Sequence, residues 1–160
     1  PLTAQVPMRT FITAADRFLL TDPMGALDRN GISQQFLNAF GNEKLKEPDE
    51  IVELEDFETF ELAGMQITSI FAPGHTKGSV IFTVDEQQLI SGDVLFAGSI
   101  GRTDLPTGSA NQMKNTLRDR ILTLPDGLNV LPGHGGQTTI GIERVRNPYL
   151  QSDFLDQSGR

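Results

Sequence analysis

The stretch FAPGHTKGSV at residues 71–80 contains His75, one of only two histidines in the chain. The tripeptide Pro-Gly-His that ends at His75 recurs in a second place, where it ends at His134. At ordinary frequencies of proline and glycine, both histidines would follow Pro-Gly by chance on the order of once in 10⁵. A Pro-Gly pair fixes the dihedral angles of a turn, so the next residue leaves the turn in a set direction. The repeat therefore indicates that both histidine side chains point in a direction set by the preceding turn.

Both turns follow strand-like segments. The sequences MQITSIF at residues 65–71 and LNVL at residues 128–131 are apolar and β-branched, which is typical of strands. A third such segment, residues 88–91, is followed by Gly92 and Asp93. Two imidazoles and one carboxylate just beyond strand ends are typical of metal ligands. A lone histidine beside a turn is more often a surface residue, so the metal interpretation depends on the repeat and on Asp93.

The composition limits the class of protein. A chain of 160 residues with 38% hydrophobic residues and ten phenylalanines can bury one core, so residues 1–160 are predicted to form a single domain. A net charge of −8 argues against a nucleic acid or an anionic membrane as partner. The absence of cysteine excludes disulfides and thiolate metal sites. We find neither an apolar run of membrane-spanning length nor a signal peptide, and we expect a soluble cytoplasmic protein.

The periodicity of apolar residues predicts an α/β arrangement. A short strand at residues 9–12 and helices at residues 14–20 and 32–40 come first. A period of two then predicts a meander of short strands, at residues 51–54, 59–62, 65–71, 79–84 and 88–91.

The second half of the chain alternates between helices and a strand. Ser109 followed by Gln112 predicts the start of a helix, with its buried face formed by Met113, Leu117, Ile121 and Leu124. A strand at residues 128–131 follows, and Thr139 caps a last predicted helix through Arg146. The residues from Tyr149 onward are predicted to be a tail.

Three polar residues near the motifs have two interpretations each. Thr76 either supports a metal ligand by a hydrogen bond or satisfies the local backbone. Arg102 and Asp104 lie in the glycine-bearing loop of residues 92–108. They either contact an acidic substrate or form an internal pair that braces the loop.

Three segments closely resemble the later motifs of metallo-β-lactamase-fold hydrolases. They are APGHTKGS at residues 72–79, SGDVLFAGSIGRTD at residues 91–104 and LPGHG at residues 131–135. The resemblance is strongest to the glyoxalase II-like (hydroxyacylglutathione hydrolase-like) branch, and it extends over about residues 11–150. It implies an αββα sandwich that holds two divalent metals, usually zinc. By motif, His75 would bind the first metal, Asp93 would bridge both, and His134 would bind the second.

In that family a metal-bridging hydroxide attacks a thioester or a related ester carbonyl, so the resemblance implies no catalytic side chain beyond the metal ligands. The sequence departs from the family at its first motif, His-x-His-x-Asp-His, because no histidine precedes His75. We therefore expect the C-terminal portion of a metallo-β-lactamase-like domain, a partial sandwich without the first strands. We expect this chain to bind little or no metal and to be inactive, and the intact protein to be a binuclear hydrolase. Missing strands would expose a sheet edge, which predicts a homodimer that covers it.

Several functions stay open at this point. An acyl thioester of glutathione leads by resemblance, with another acyl thioester or a lactone as alternatives, while a β-lactam is disfavoured because it belongs to another branch. A different class is a non-catalytic binding or structural module with a degenerate metal site. A protein that binds a single ion through His75, Asp93 and His134 is a third. Codons upstream of Pro1 that encode His-x-His-x-Asp-His would favour the enzyme.

Overall fold

The computed structural model describes residues 9–26 and 45–156. Its main feature is a six-stranded mixed sheet with the strand order β10-β9-β6-β5-β4-β3. The strands of this sheet are β3 (Thr59–Leu62), β4 (Met65–Phe71), β5 (Val80–Val84), β6 (Gln88–Gly92), β9 (Asn129–Pro132) and β10 (Thr138–Thr139). Strands β3 to β6 pair antiparallel in succession, which confirms the predicted meander for these four strands. The strand predicted at residues 51–54 is not part of it, because that segment pairs in a separate two-stranded sheet.

Three strands of the sheet end at the same edge. Strand β9 runs parallel to β6, and β4 has the same direction as β6 because both are antiparallel to β5. The residues that follow β4, β6 and β9 therefore emerge close together. A short hairpin of β7 (Leu95–Phe96) and β8 (Ser99–Ile100) follows β6 at this edge.

One helical segment lies between the β7–β8 hairpin and β9. Helix α1 (Ala110–Thr116) begins at Ser109, whose hydroxyl accepts a hydrogen bond from the Gln112 amide, so the predicted cap is confirmed. The helix continues as a π-helical turn over Leu117–Ile121. Leu117 and Ile121 are fully buried against the sheet. Helix α2 (Ile140–Arg146) follows β10 and is capped by Thr139, as predicted.

The core lies between one face of the sheet and these helices. Apolar residues at alternate positions of the strands meet the buried faces of α1 and α2, because side chains alternate between the two faces of a strand. Members of this core include Ile70, Ile81, Leu89, Val130, Met113, Leu117, Ile121 and Ile140. Helices on a mixed sheet agree with the predicted α/β sandwich class.

A second, smaller sheet is formed by β1 (Arg9–Ile12) and β2 (Glu50–Glu53), which pair parallel. The ring of Phe11 on β1 stacks on the ring of Phe60 on β3, with 5.0 Å between the ring centroids. The Thr13 hydroxyl donates to the carbonyl of Gly78 at 2.8 Å. The ring contact joins the small sheet to the six-stranded sheet, and the Thr13 hydrogen bond joins the end of β1 to the segment that follows the first Pro-Gly-His turn.

The structure corrects the prediction for residues 14–20. Only Arg17–Leu20 are helical, as a 3₁₀ turn that is followed by a second 3₁₀ turn at Pro23–Ala26. Asp16 accepts hydrogen bonds from Thr76 and from the amide of Gly78, so tertiary contacts hold this segment in a turn. The helix predicted at residues 32–40 lies outside the described residues.

The prediction of a tail after Tyr149 is wrong. A 3₁₀ turn at Pro148–Leu150 and helix α3 (Ser152–Leu155) continue the fold. Leu150 and Leu155 are buried in the core, with 5% and 7% of their surface exposed. Two buried leucines are too few for a helical period to be recognised in the sequence. Over residues 9–26 and 45–156, the structure contains no helix that is both long and apolar enough to cross a bilayer.

Candidate metal centre

The edge of the sheet brings together His75, Asp93 and His134, which follow β4, β6 and β9. The Nε2 atom of His75 lies 3.6 Å from Oδ2 of Asp93. The Nε2 atom of His134 lies 3.5 Å from the other carboxylate oxygen, Oδ1. Each oxygen of one carboxylate therefore faces a different imidazole.

These separations fit ligands that share a cation. They exceed the 2.7–3.2 Å range of ordinary N–H···O hydrogen bonds. Two ligand atoms bound to one zinc ion at about 2.0–2.1 Å lie roughly 3.4 Å apart when the geometry is tetrahedral. Each of the two histidine–carboxylate pairs therefore has the spacing of two ligands on one cation, with His75 on one side of Asp93 and His134 on the other.

A backbone carbonyl orients His75. Its Nδ1 atom lies 2.9 Å from the carbonyl oxygen of Arg102. A carbonyl can only accept, so Nδ1 carries the proton, and in the neutral ring Nε2 presents a lone pair to Asp93. A lone pair that faces a carboxylate oxygen is unfavourable unless a proton or a metal cation lies between them. Hydrogen bonding of the distal ring nitrogen is also how metal-bound histidines are commonly fixed.

His134 is held differently. Its side chain is 77% exposed, compared with 21% for His75. The edge of its ring meets the ring of Phe96, with centroids 6.0 Å apart and an angle of 68° between the planes. The second imidazole therefore depends on one aromatic neighbour and on the path of its own loop.

Glycines allow the close approach of the segments at the centre. A Cβ atom at Gly133 would lie closer than 3.0 Å to Oδ1 of Asp93, and one at Gly101 would lie closer than 3.0 Å to the Asp93 carbonyl oxygen. Real Cβ atoms do not approach other atoms so closely. Gly74 has a φ of 150°, and a Cβ there would overlap the backbone of Met113. Gly101 and Gly133 are thus residues of the site. The sequence motifs contain both, but the sequence does not show that Asp93 lies against them.

The residues predicted to support the site have different roles. The carbonyl of Arg102 serves His75, while its guanidinium binds Asp104 at 2.6 and 2.8 Å. These hydrogen bonds lower the pKa of Asp104 below its ordinary value. The Thr76 hydroxyl contacts Asp16 at 2.5 Å and Ser79 at 2.8 Å. It therefore holds the His75 loop against the turn that follows β1, through a partner, Asp16, that the motifs do not single out.

The described part of the chain does not supply a full set of ligands. Over residues 9–26 and 45–156, no group of three or more His, Cys, Asp and Glu side chains is arranged so that it could hold a metal ion by itself. If Asp93 is counted at two metal positions, with His75 at one and His134 at the other, each position has two protein ligands. Catalytic zinc commonly has three.

Residues 6–134 match the family model of the Metallo-beta-lactamase superfamily. The chain belongs to this superfamily. It is 42% identical over 149 residues to the uncharacterized protein Rv2581c of Mycobacterium tuberculosis, and the match covers 89% of this chain and 64% of that protein. It is 41% identical over 96 residues to hydroxyacylglutathione hydrolase GloC of Haemophilus influenzae, which covers 59% of this chain and 45% of that enzyme. The chain thus spans less than two thirds of the length of these relatives.

Solved structures show the same fold. BLEG-1 B3 metallo-beta-lactamase superposes with a TM-score of 0.74 at 30% identity, covering 93% of this chain and 68% of that one. TTHA1623 in a di-iron-bound form superposes with a TM-score of 0.70 at 32% identity, covering 94% and 69%. The predicted fold class is thereby confirmed.

Proposed function

We propose that the intact protein is a hydrolase of small acyl thioesters, of the hydroxyacylglutathione type, that depends on two divalent metals such as zinc. The structural observation that carries this proposal is the carboxylate of Asp93, whose two oxygens face two different imidazoles at 3.5 and 3.6 Å. Membership of the superfamily supports metal-dependent hydrolysis. The thioester class is supported by the similarity to a relative named hydroxyacylglutathione hydrolase.

In this proposal the side chains of this chain hold and orient the metals. His75 keeps its proton on Nδ1 through the Arg102 carbonyl and offers Nε2 as a ligand. Asp93 would serve both metal positions, and His134 would serve the second. Bound divalent cations would lower the pKa of coordinated water and stabilise negative charge that develops on a carbonyl oxygen. The protein therefore needs no nucleophilic side chain.

We further propose that residues 1–160 alone are inactive, because three donors do not complete two metal positions. The remaining ligands would come from outside these residues. A net charge of −8 is unfavourable for a nucleic acid or an anionic membrane as partner, which agrees with the proposed small-molecule substrate.

Release of free thiol from a hydroxyacyl thioester of glutathione tests the proposal, and the absence of cysteine from this chain removes its own background from a thiol assay. The 160-residue chain and a chain extended by the residues encoded upstream of Pro1 would be compared after loading with Zn²⁺, with a β-lactam as the control substrate. We expect thioester hydrolysis by the extended chain only and no β-lactam hydrolysis. An extended chain that neither retains metal nor releases thiol would favour the non-catalytic module.

A further inference from the structure

A buried carboxylate lies outside the candidate metal centre. Glu143 on α2 is 2% exposed, and Asn147 at the end of α2 is fully buried. The Asn147 side-chain amide donates to Oε2 of Glu143 at 2.9 Å. Burial of a carboxylate is costly, so it is expected only where hydrogen bonds compensate, and the partners of Glu143 show which segments it joins.

The two oxygens of Glu143 bind two different segments. Oε2 accepts from the backbone amide of Gly98 at 2.8 Å, in the turn between β7 and β8. Oε1 accepts from the Thr138 hydroxyl at 2.7 Å, at the start of β10. The Asn147 amide also donates to the carbonyl of Ser99 at 3.0 Å on β8. The carboxylate and the amide together join the β7–β8 hairpin to β10.

The same two segments flank His134. Phe96, on β7 of the hairpin, is the aromatic neighbour of the His134 ring. The loop of residues 133–137 carries His134 and ends where β10 begins at Thr138. At its other end, the Gly133 amide donates to the Gly92 carbonyl at 2.8 Å. The imidazole of His134 is 77% exposed and contacts Phe96, and Glu143 binds both the hairpin that carries Phe96 and the end of the His134 loop.

We propose that Glu143 and Asn147 are positioning residues for His134. They hold the Phe96 hairpin and the far end of the His134 loop at a fixed separation, and this keeps Nε2 of His134 directed at Asp93. The value of this positioning for metal binding rests on the proposed function, whereas the positioning itself does not.

The substitution Thr138→Val tests the inference most selectively, because it removes only the hydroxyl that connects the His134 loop to Glu143. The probe is the pair of histidine ring signals in a ¹H–¹³C NMR spectrum of the metal-free chain, assigned with a His75→Asn variant. We expect the His134 signal to shift or broaden in Thr138→Val while the His75 signal stays in place. Thr138→Ser, which keeps the hydroxyl, should retain the wild-type position.

Thr123→Val is the matched control, since the Thr123 hydroxyl donates to the Arg120 carbonyl at 2.8 Å and contacts neither segment. A His134 signal that is unchanged in a folded Thr138→Val variant would overturn the inference. If that variant does not fold, Thr138→Ala applies the same criterion, because it also removes the hydroxyl that donates to Glu143 and puts no larger group in its place. The spectra need no metal, so failure of the proposed function would appear separately, as an extended chain without metal or turnover.

Discussion

Asp93 Oδ1 lies 3.5 Å from His134 Nε2, although the two residues follow different strands. The approach depends on the glycine that precedes His134, because a Cβ atom at Gly133 would occupy the space next to the Asp93 carboxylate. The glycine of the second Pro-Gly-His turn thus has a role beyond the turn itself. It makes room for the carboxylate that faces both imidazoles.

Gly133→Ala is therefore expected to displace Asp93 and weaken metal retention by the intact protein at least about tenfold, the scale seen when support of a metal site is lost. Metal content after dialysis, measured by atomic emission, checks this. Gly136→Ala is the matched control, because a Cβ at Gly136 would have no atom within 4 Å. Equal metal retention by the Gly133 and Gly136 variants would contradict the prediction.

Asp16 should matter for stability, since it receives the Thr76 hydroxyl and the Gly78 amide. We expect Asp16→Ala to leave both donors without this acceptor and to lower the free energy of unfolding by about 1–3 kcal/mol. Urea denaturation followed by circular dichroism measures the change. The exposed Asp119 provides an Asp→Ala control on the connecting helix. An Asp16 variant as stable as the Asp119 variant would show that the contact to the His75 loop adds little.

The end of the described chain belongs to the core. Leu150→Ala is expected to lower the free energy of unfolding by about 2–5 kcal/mol, as is usual for a truncated buried leucine. Val145 is 76% exposed, and Val145→Ala should change stability by less than about 0.5 kcal/mol. Thermal or chemical denaturation of both variants decides. A small effect of Leu150→Ala would restore the interpretation of this segment as a tail.

We propose that the 160-residue chain associates with a second copy through an apolar part of its sheet. Ile90, in the interior strand β6, is 42% exposed, Leu62 on the edge strand β3 is 36% exposed, and Met65 on the neighbouring strand β4 is 39% exposed. Apolar surface of this kind is commonly covered by association. Size-exclusion chromatography with light scattering should show a dimer, and Ile90→Lys should shift the chain towards monomer. A wild-type chain that is monomeric throughout the micromolar range would rule this association out.

The strand-end arrangement of the site could be predicted from the sequence, because a repeated turn after each of two strands and a Gly-Asp pair after a third are local signals. The support of the site could not. Arg102 acts through its carbonyl, which every residue possesses, and its side chain gives no hint of this. In the sequence, Glu143 is an ordinary charged residue of a helix. Only the tertiary fold shows that it binds Gly98 and Thr138. Contacts between segments that are distant in the chain produce no periodic pattern in the sequence, so the sequence does not predict them.

The number of metal ions bound by the intact protein and its variants tests the central claim most directly. If Asp93 bridges two metals, the wild-type protein should hold two Zn²⁺ ions, Asp93→Asn should lose affinity for both, and His134→Asn should lose one while His75 retains the other. Isothermal titration calorimetry with Zn²⁺ measures these stoichiometries. An Asp93→Asn variant that keeps the full wild-type complement of metal would contradict the account.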